Sequence, residues 1–171
     1  VRCNIGGGSI CSTRIQTGHG VPTLQSVLDC RDASDAAIIA DGGIKTSGDI
    51  VKSLAAGADM VMLGSMLAGT KETPGEIFES NDNKRYKVYR GMASPEAQIA
   101  WRGSARSLEG ISTTVPYKGE VGEILYKLEK NIKSGLSYTG ARSLLEFRGK
   151  AKFIHQTSAG LVESRTHILN L

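Results

Sequence analysis

Apolar and polar positions alternate in blocks over the first third of the chain. Residues 36–43 (AAIIADGG) and 59–65 (DMVMLGS) are short apolar runs that stop at glycine, as buried parallel strands do before a tight loop. Between them, residues 46–58 place apolar side chains on one helical face, with Thr46, Ser47 and Asp49 as candidate start residues and Gly57 as a stop. Strand, helix and strand in succession predict a βαβ unit with a parallel sheet, and therefore the α/β class.

Two further segments have helical periodicity. Residues 23–33 carry apolar side chains at helical spacing. Residues 121–147 do so at steps of three and four, which predicts a helix that covers the sheet, interrupted at Ser134 and Gly135 and resumed over 141–147. Apolar positions left exposed there are expected to form a subunit interface.

Composition is that of an ordinary globular protein with one domain. The 171 residues are 40% hydrophobic and 22% charged, and no apolar run approaches the roughly 20 residues of a membrane span. Cys3, Cys11 and Cys30 are an odd, sparse set without CxxC spacing, which argues against a disulfide framework or a zinc site and favours a reducing compartment. We therefore expect a cytoplasmic protein without a membrane partner.

The charge balance and the first residue narrow the expectation further. A net charge of +4, spread along the chain with few aromatic residues, suits small anionic ligands and gives little support for a nucleic-acid surface. The chain starts at Val1 and runs directly into a glycine loop, so we expect a piece that begins in the middle of a fold.

The ends of the predicted strands carry groups that suit a phosphate. In parallel α/β proteins, ligands bind beyond the carboxyl ends of the strands. The backbone N–H and hydroxyl donors there come from Ser9, Gly42, Gly43, Gly64 and Ser65. Asp41 would repel a phosphate, so we expect its carboxylate to accept hydrogen bonds from sugar hydroxyls instead.

The segment GGGSICST, residues 6–13, places a thiol directly after three glycines. One interpretation is a flexible turn with Cys11 as a small core residue. The other is a nucleophile in a loop without bulky side chains, with Arg14 and His19 as positive neighbours that favour the thiolate. His19, which lies between two glycines, also fits an ordinary loop residue.

Several motifs together resemble those of the inosine-monophosphate dehydrogenase and guanosine-monophosphate reductase family. They are GGGSICST, RIQTGHGVPTLQSV, IIADGG, GADMVMLGSMLAGTKETPGE, YRGMAS and VPYKG, and they extend over essentially the whole chain. The resemblance implies an α/β fold of the (β/α)8 TIM barrel type, with residues 1–171 as the C-terminal half of the catalytic domain from the sixth strand onward. It also implies a mobile flap around residues 85–118, NAD or NADP as cofactor, and a homotetramer.

The resemblance assigns roles to individual residues. It implies that Cys11 bonds covalently to C2 of a purine 5′-monophosphate, with Thr13 as its companion. The implied phosphate ligands are Ser9, Gly43, Gly64, Ser65 and Tyr89. Asp41 would bind the ribose, and Gly91 and Met92 would approach the base. A potassium site is implied at Gly6, Gly8 and Cys11, completed by Glu163 and Ser164 of a neighbouring subunit.

Two reactions are consistent with this family, and the flap favours the reductase. Residues 93–114 are short and contain no Arg-Tyr pair of the kind that activates water in the dehydrogenase. Arg106 has the reductase spacing to EG and PYKG and is a catalytic candidate, although it also fits a solvated surface charge. The reductase glutamate after its GMSS motif falls at Pro95 here, so Glu96 is the candidate for that role. Dehydrogenase-like features are Ser65, the segment 70–76 and the tail 158–169.

Two other classes of function remain open on sequence alone. One is a different phosphate-binding barrel enzyme that acts on a sugar phosphate and uses Cys11 only as a core residue. The other is a non-catalytic protein that binds purine nucleotides with a degenerate flap.

Overall fold

The computed structural model describes residues 1–166 and shows an α/β chain with two small sheets. Its elements are β1 (Arg2–Cys3), α1 (Thr13–Thr17), α2 (Thr23–Ala33), β2 (Ile39–Asp41), α3 (Ser47–Ala55), β3 (Met60–Met62), β4 (Phe78–Glu79), β5 (Arg85–Arg90), α4 (Pro95–Arg102), β6 (Ser112–Pro116), α5 (Val121–Tyr138), α6 (Leu144–Lys150) and α7 (Ser158–Glu163). The α/β class predicted from the sequence is confirmed.

The first sheet is parallel, in the order β1-β2-β3. The predicted βαβ unit is present, because α3 connects two strands that pair side by side. Strands β2 and β3 are shorter than the apolar runs that predicted them, and α2 has the predicted bounds. Completion of these strands into a barrel remains a prediction, since three strands do not close one.

Helix α3 begins where the sequence indicated. Thr46 accepts a hydrogen bond from the Asp49 N–H, and the Asp49 side chain accepts one from the Thr46 N–H, which forms a capping box. Partial burial of the Asp49 carboxylate opposes ionisation, but hydrogen bonds donated to it by the Lys45 N–H and by Thr46 lower its pKa overall.

Two apolar clusters lie against the parallel sheet. The cluster on the α2 side consists of Cys3, Val27, Ile38, Ala40, Ala56 and Ala58. The cluster on the α3 side consists of Ile44, Ile50, Leu54, Leu128, Ala141 and Phe147. Helices α5 and α6 therefore pack against α3, and Val61 of β3 is partly buried against the same cluster. The apolar periodicity of residues 121–147 correctly predicted helix there, and direct cover of the strands remains a prediction.

The predicted interruption at Ser134 and Gly135 is wrong, because α5 continues to Tyr138. A Cβ on Gly135 would lie 2.8 Å from Cγ2 of Val51 in α3. The glycine therefore permits a close helix approach instead of ending the helix. The resumed helix over 141–147 is also displaced, since α6 spans Leu144–Lys150 with Ser143 as its N-cap.

Gly135→Ala is expected to lower the free energy of unfolding by about 1 to 3 kcal/mol, because the new methyl group would overlap Val51. Urea unfolding followed by circular dichroism measures the change. Gly122→Ala in the same helix is the matched control, since a Cβ there meets nothing within 4 Å and alanine favours helix by up to about 1 kcal/mol. Equal destabilisation by both substitutions would contradict this account of the α3–α5 contact.

The predicted flap, residues 85–118, contains β5, α4 and β6, and β5 pairs with both β4 and β6 in an antiparallel sheet. Buried Gln98 holds the loop beyond α4: its amide donates to the Ala93 and Ser107 carbonyls and accepts from the Arg106 and Ser107 N–H groups. The segment is thus a folded strand-helix-strand unit, and its mobility remains a prediction.

Within residues 1–166, no helix is both long and apolar enough to cross a membrane. The last described helix, α7, lies in the predicted potassium-completing tail.

Candidate functional site

A cavity of about 120 Å³ opens at the carboxyl ends of β2 and β3. Its lining brings together six residues that the sequence predicted for phosphate and ribose: Ser9, Asp41, Gly43, Gly64, Ser65 and Tyr89. They come from four different segments of the chain, so this cavity is the candidate site for the nucleotide phosphate.

Close contact between two glycine loops shapes the cavity. A Cβ on Gly42 would lie 2.7 Å from the carbonyl carbon of Gly7, so only glycine fits this backbone crossing. The Asn4 amide donates to the Asp41 carbonyl at 3.0 Å, and the Thr23 hydroxyl donates to the Gly42 carbonyl at 2.9 Å. These bonds hold the loop after β1 against the loop after β2.

Tyr89 reaches the same cavity from β5. A Cβ on Gly64 would lie 2.8 Å from the Tyr89 hydroxyl oxygen, so the glycine makes room for that hydroxyl. The phosphate candidates of the parallel sheet and of the flap therefore meet at Gly64.

Cys11 lines a second cavity, of about 250 Å³, which shares Gly8 and Asp41 with the first. The thiol sulfur lies 3.1 Å from the Thr13 hydroxyl oxygen. That hydroxyl donates a hydrogen bond of 2.7 Å to the Glu109 carboxylate. Because the Thr13 proton points to Glu109, the thiol proton points to Thr13, and the three side chains form a continuous proton path.

Glu109 reaches Thr13 because the end of the flap runs antiparallel to the cysteine loop. The Ser12 N–H donates to the Glu109 carbonyl at 2.7 Å, and the Ile111 N–H donates to the Ile10 carbonyl at 3.1 Å. Cys11 and Gly110 form the bridge between these two bonds. The sequence interpretation missed Glu109, for which the EG dipeptide shortly before PYKG was the only local signal.

The structure places Glu96 and Arg106 in other contacts. The Glu96 carboxylate accepts from the Ser112 hydroxyl at 2.9 Å, and its pKa is lowered by its own backbone N–H and by Ser112. Arg106 is exposed, and its N–H donates to Gln98. The hydrogen bonds of these two residues, unlike those of Glu109, do not lead to Thr13.

The residues predicted beside the base lie next to the cysteine loop. The Gly91 N–H donates to the Ile111 carbonyl at 3.0 Å, and a Cβ on Gly91 would lie 3.4 Å from the Ile10 carbonyl oxygen. The Met92 side chain is exposed. Gly91 therefore lies against Ile10, the residue before Cys11, while neither Gly91 nor Met92 lines the cavity that contains Cys11.

Arg14 and His19 make loop contacts. The Arg14 guanidinium donates to the Asn4 side chain and to the Val21 carbonyl. The His19 ring nitrogen Nδ1 lies 2.7 Å from the Thr17 carbonyl oxygen. Both sets of contacts suit residues that order the turn after α1.

The residues predicted for potassium come from two separate places. The Gly8 carbonyl already accepts from the Cys11 N–H at 3.1 Å. At the end of α7, next to Glu163, the Ser164 hydroxyl donates to the Gly160 carbonyl at 2.8 Å and accepts from Gln156. In residues 1–166, no cluster of three or more His, Cys, Asp or Glu side chains is arranged to hold a metal ion.

Fold and site together define an α/β protein with a small glycine-rich cavity at its strand ends, beside a hydrogen-bonded set of Cys11, Thr13 and Glu109. The sequence profile described as the IMP dehydrogenase / GMP reductase domain matches residues 1–167. The chain belongs to this family.

Relatives of both names resemble the chain. It is 47% identical to an inosine-5′-monophosphate dehydrogenase of Aquifex aeolicus over 98% of its length, and 44% identical to a GMP reductase of Leishmania major over 98%. A crystal structure of a Trypanosoma brucei GMP reductase, a cysteine-to-alanine variant in complex with guanosine 5′-monophosphate, matches with a TM-score of 0.90, 42% identity and 97% coverage. The chain spans 36% of the length of each of these three proteins.

Proposed function

We propose that the protein is an oxidoreductase that binds a purine 5′-monophosphate and acts at C2 of its base through a covalent bond to Cys11. The observation that carries this proposal is the path from Cys11 through Thr13 to Glu109, which lies beside a strand-end cavity suited to phosphate. The two cavities share Gly8 and Asp41, so one ligand can occupy both.

The phosphate binds in the smaller cavity. Backbone N–H groups near Gly43 and Gly64, together with the Ser9, Ser65 and Tyr89 hydroxyls, donate to its oxygens. Asp41, between the two cavities, accepts from the ribose hydroxyls, and Arg2 lies 3.6 Å from its carboxylate. The base then extends toward Cys11 along backbone that carries few side chains.

Gly64→Ala is expected to weaken binding of guanosine 5′-monophosphate by about tenfold, because the methyl group would displace the Tyr89 hydroxyl from the cavity. Isothermal titration calorimetry measures the affinity.

A double-mutant cycle with Tyr89→Phe separates this cause from general damage to the loop. Without the hydroxyl, the added methyl group meets less obstruction, so Gly64→Ala should cost little in the Tyr89→Phe background. Additive losses in the double variant would contradict the assigned contact.

The side chains at Cys11 move the protons that the chemistry requires. As Sγ bonds to C2, the thiol proton passes to Thr13, and the Thr13 proton passes to Glu109. Glu109, now neutral, returns a proton through Thr13 to the amino group, which leaves C2 as ammonia. The glycines beside Cys11 leave room for a flat ring, and a nicotinamide cofactor, when bound, would supply the hydride chemistry at C2.

The reaction we propose is that of a GMP reductase with NADPH, in which guanosine 5′-monophosphate loses ammonia and gains hydride at C2. Residues 93–114 contain no Arg-Tyr pair to activate water, whereas release of ammonia needs only a proton donor. Glu109 meets that need at Cys11, so we assign to it the role that the sequence suggested for Glu96.

IMP dehydrogenase with NAD is the second candidate, because several of the similar proteins carry that name and Ser65 is one of the dehydrogenase-like features of the sequence. Initial rates with NADPH and guanosine 5′-monophosphate, and with NAD and inosine 5′-monophosphate, distinguish the two reactions. We expect turnover with the first pair. Turnover with the second pair alone would identify the dehydrogenase, and nucleotide binding without turnover would indicate a binding protein.

The same assays with and without potassium test the proposed cation site at Gly6, Gly8, Cys11, Glu163 and Ser164. Since the chain spans about a third of its relatives' length, we further propose that its parallel sheet forms part of a (β/α)8 barrel. We also propose a cytoplasmic homotetramer, consistent with the three free cysteines and with exposed apolar side chains on α4 and α5.

A further inference from the structure

Lys118 contacts the turn that forms one wall of the phosphate cavity. Its ammonium group donates to the Ser65 carbonyl at 2.6 Å and to the Met66 carbonyl at 3.2 Å. Ser65 itself lines the cavity. With two carbonyls of this turn held by Lys118 on one side, the turn keeps a fixed orientation toward the cavity.

The residues beside Lys118 attach it firmly to the same loop. The Lys118 N–H donates to the Gly69 carbonyl at 2.9 Å, and the Lys71 N–H donates to the Gly119 carbonyl at 2.8 Å. Buried Lys87 holds the base of this loop through the Thr70 carbonyl at 3.1 Å. The loop is therefore anchored below the turn, and Lys118 acts at the turn itself.

Lys118 lies two residues after the end of β6, and residues 109–111 lie directly before the start of β6. At the N-terminal end of this extended segment, Glu109 accepts a hydrogen bond from Thr13. At its C-terminal end, Lys118 donates a hydrogen bond to the Ser65 carbonyl. All five residues of β6 pair with strand β5, which bears Tyr89. Strand β6, supported by β5, therefore connects the Ser65 turn to Glu109, so a shift in the position of that turn can alter the position of Glu109.

We propose that Lys118 is a positioning residue that couples phosphate binding to the alignment of Glu109 and Thr13 at Cys11. The inference rests on the proposed function and extends it. A bound phosphate dianion holds the Ser65 turn and the nearby ammonium group together, which fixes the end of β6. The phosphate then contributes to the rate at Cys11 as well as to affinity, because part of its binding energy orders the reacting groups.

The experiment divides a nucleotide analogue into two separate molecules, a reactive nucleoside and a phosphite dianion that takes the place of the phosphate. Alkylation of Cys11 by 6-chloropurine riboside, in which the sulfur bonds to C6 and chloride leaves, is followed by mass spectrometry with and without phosphite dianion. In the unsubstituted protein, saturating phosphite is expected to accelerate labelling by at least about tenfold. Lys118→Met, which keeps the aliphatic stem and removes the donors, should abolish this acceleration.

Lys84→Met is the matched control, since Lys84 is an exposed lysine paired with Asp82 at the β4–β5 turn. It should retain the full acceleration. Lys118→Arg restores a cationic donor and should recover much of it, which separates positioning from misfolding. With the intact nucleotide, Lys118→Met should lower kcat more than it raises KM.

Acceleration by phosphite that persists in Lys118→Met, or a change in KM alone, would overturn this inference and leave the proposed function standing. Failure of the unsubstituted protein to be labelled even by 6-chloropurine riboside 5′-monophosphate would overturn the proposed function, and the inference with it.

Discussion

Replacing Cys11 by alanine is expected to reduce turnover by at least about 10³-fold while the affinity for guanosine 5′-monophosphate changes little. The substitution removes the sulfur atom that we propose bonds to C2 of the purine. It leaves the phosphate cavity intact, because Cys11 does not line that cavity. Initial rates and calorimetric titration on the same preparation measure the two effects.

Cys30→Ala serves as the control, since Cys30 packs against the core on the α2 side. It should lower stability slightly and leave kcat unchanged. Residual turnover in Cys11→Ala within tenfold of the unsubstituted protein would refute covalent catalysis at this position.

Glu109→Gln is expected to lower kcat by about 10² to 10³-fold with little change in KM, because the amide accepts the Thr13 hydrogen bond but cannot take up its proton. The loss acts on the proton transfer and not on binding. Stopped-flow measurement of nicotinamide absorbance at saturating nucleotide determines kcat directly.

Glu96→Gln is the matched variant in the same flap. Its carboxylate accepts from Ser112 at 2.9 Å, so the substitution should cost at most about threefold in kcat. The reverse order, with Glu96→Gln severely impaired and Glu109→Gln active, would restore the assignment suggested by the sequence and refute the proton path described above.

The sequence correctly predicted those helices whose start and end depend on neighbouring residues in the chain. Helix α2 has its predicted bounds, and the capping box at Thr46 and Asp49 starts α3 where expected. The break predicted at Gly135 failed because its cause lies outside the helix: the glycine accommodates Val51 of α3. A single sequence does not distinguish a glycine that ends a helix from one that allows a close contact.

The residues of the candidate site also fall into two groups, those that the sequence predicted and those that it did not. Asp41, Gly43, Gly64 and Ser65 were predictable as a group, because the carboxyl ends of neighbouring parallel strands meet at one edge of the sheet. Glu109 was not, since it reaches Thr13 only through the antiparallel pairing of the flap end with the cysteine loop. Thr13 and Glu109 are 96 residues apart in the chain, and no repeating pattern of residue types in either segment indicates their contact.

The central claim is that the Cys11 thiol faces the base of a nucleotide whose phosphate lies in the strand-end cavity. Peptide mapping after brief treatment with 6-chloropurine riboside 5′-monophosphate tests it most directly. Burial raises the pKa of Cys3 to about 11, so Cys3 should remain unlabelled at neutral pH. We predict one thioether, at Cys11, whose formation is prevented by guanosine 5′-monophosphate; labelling spread equally over Cys11 and Cys30, or unaffected by that nucleotide, would contradict the claim.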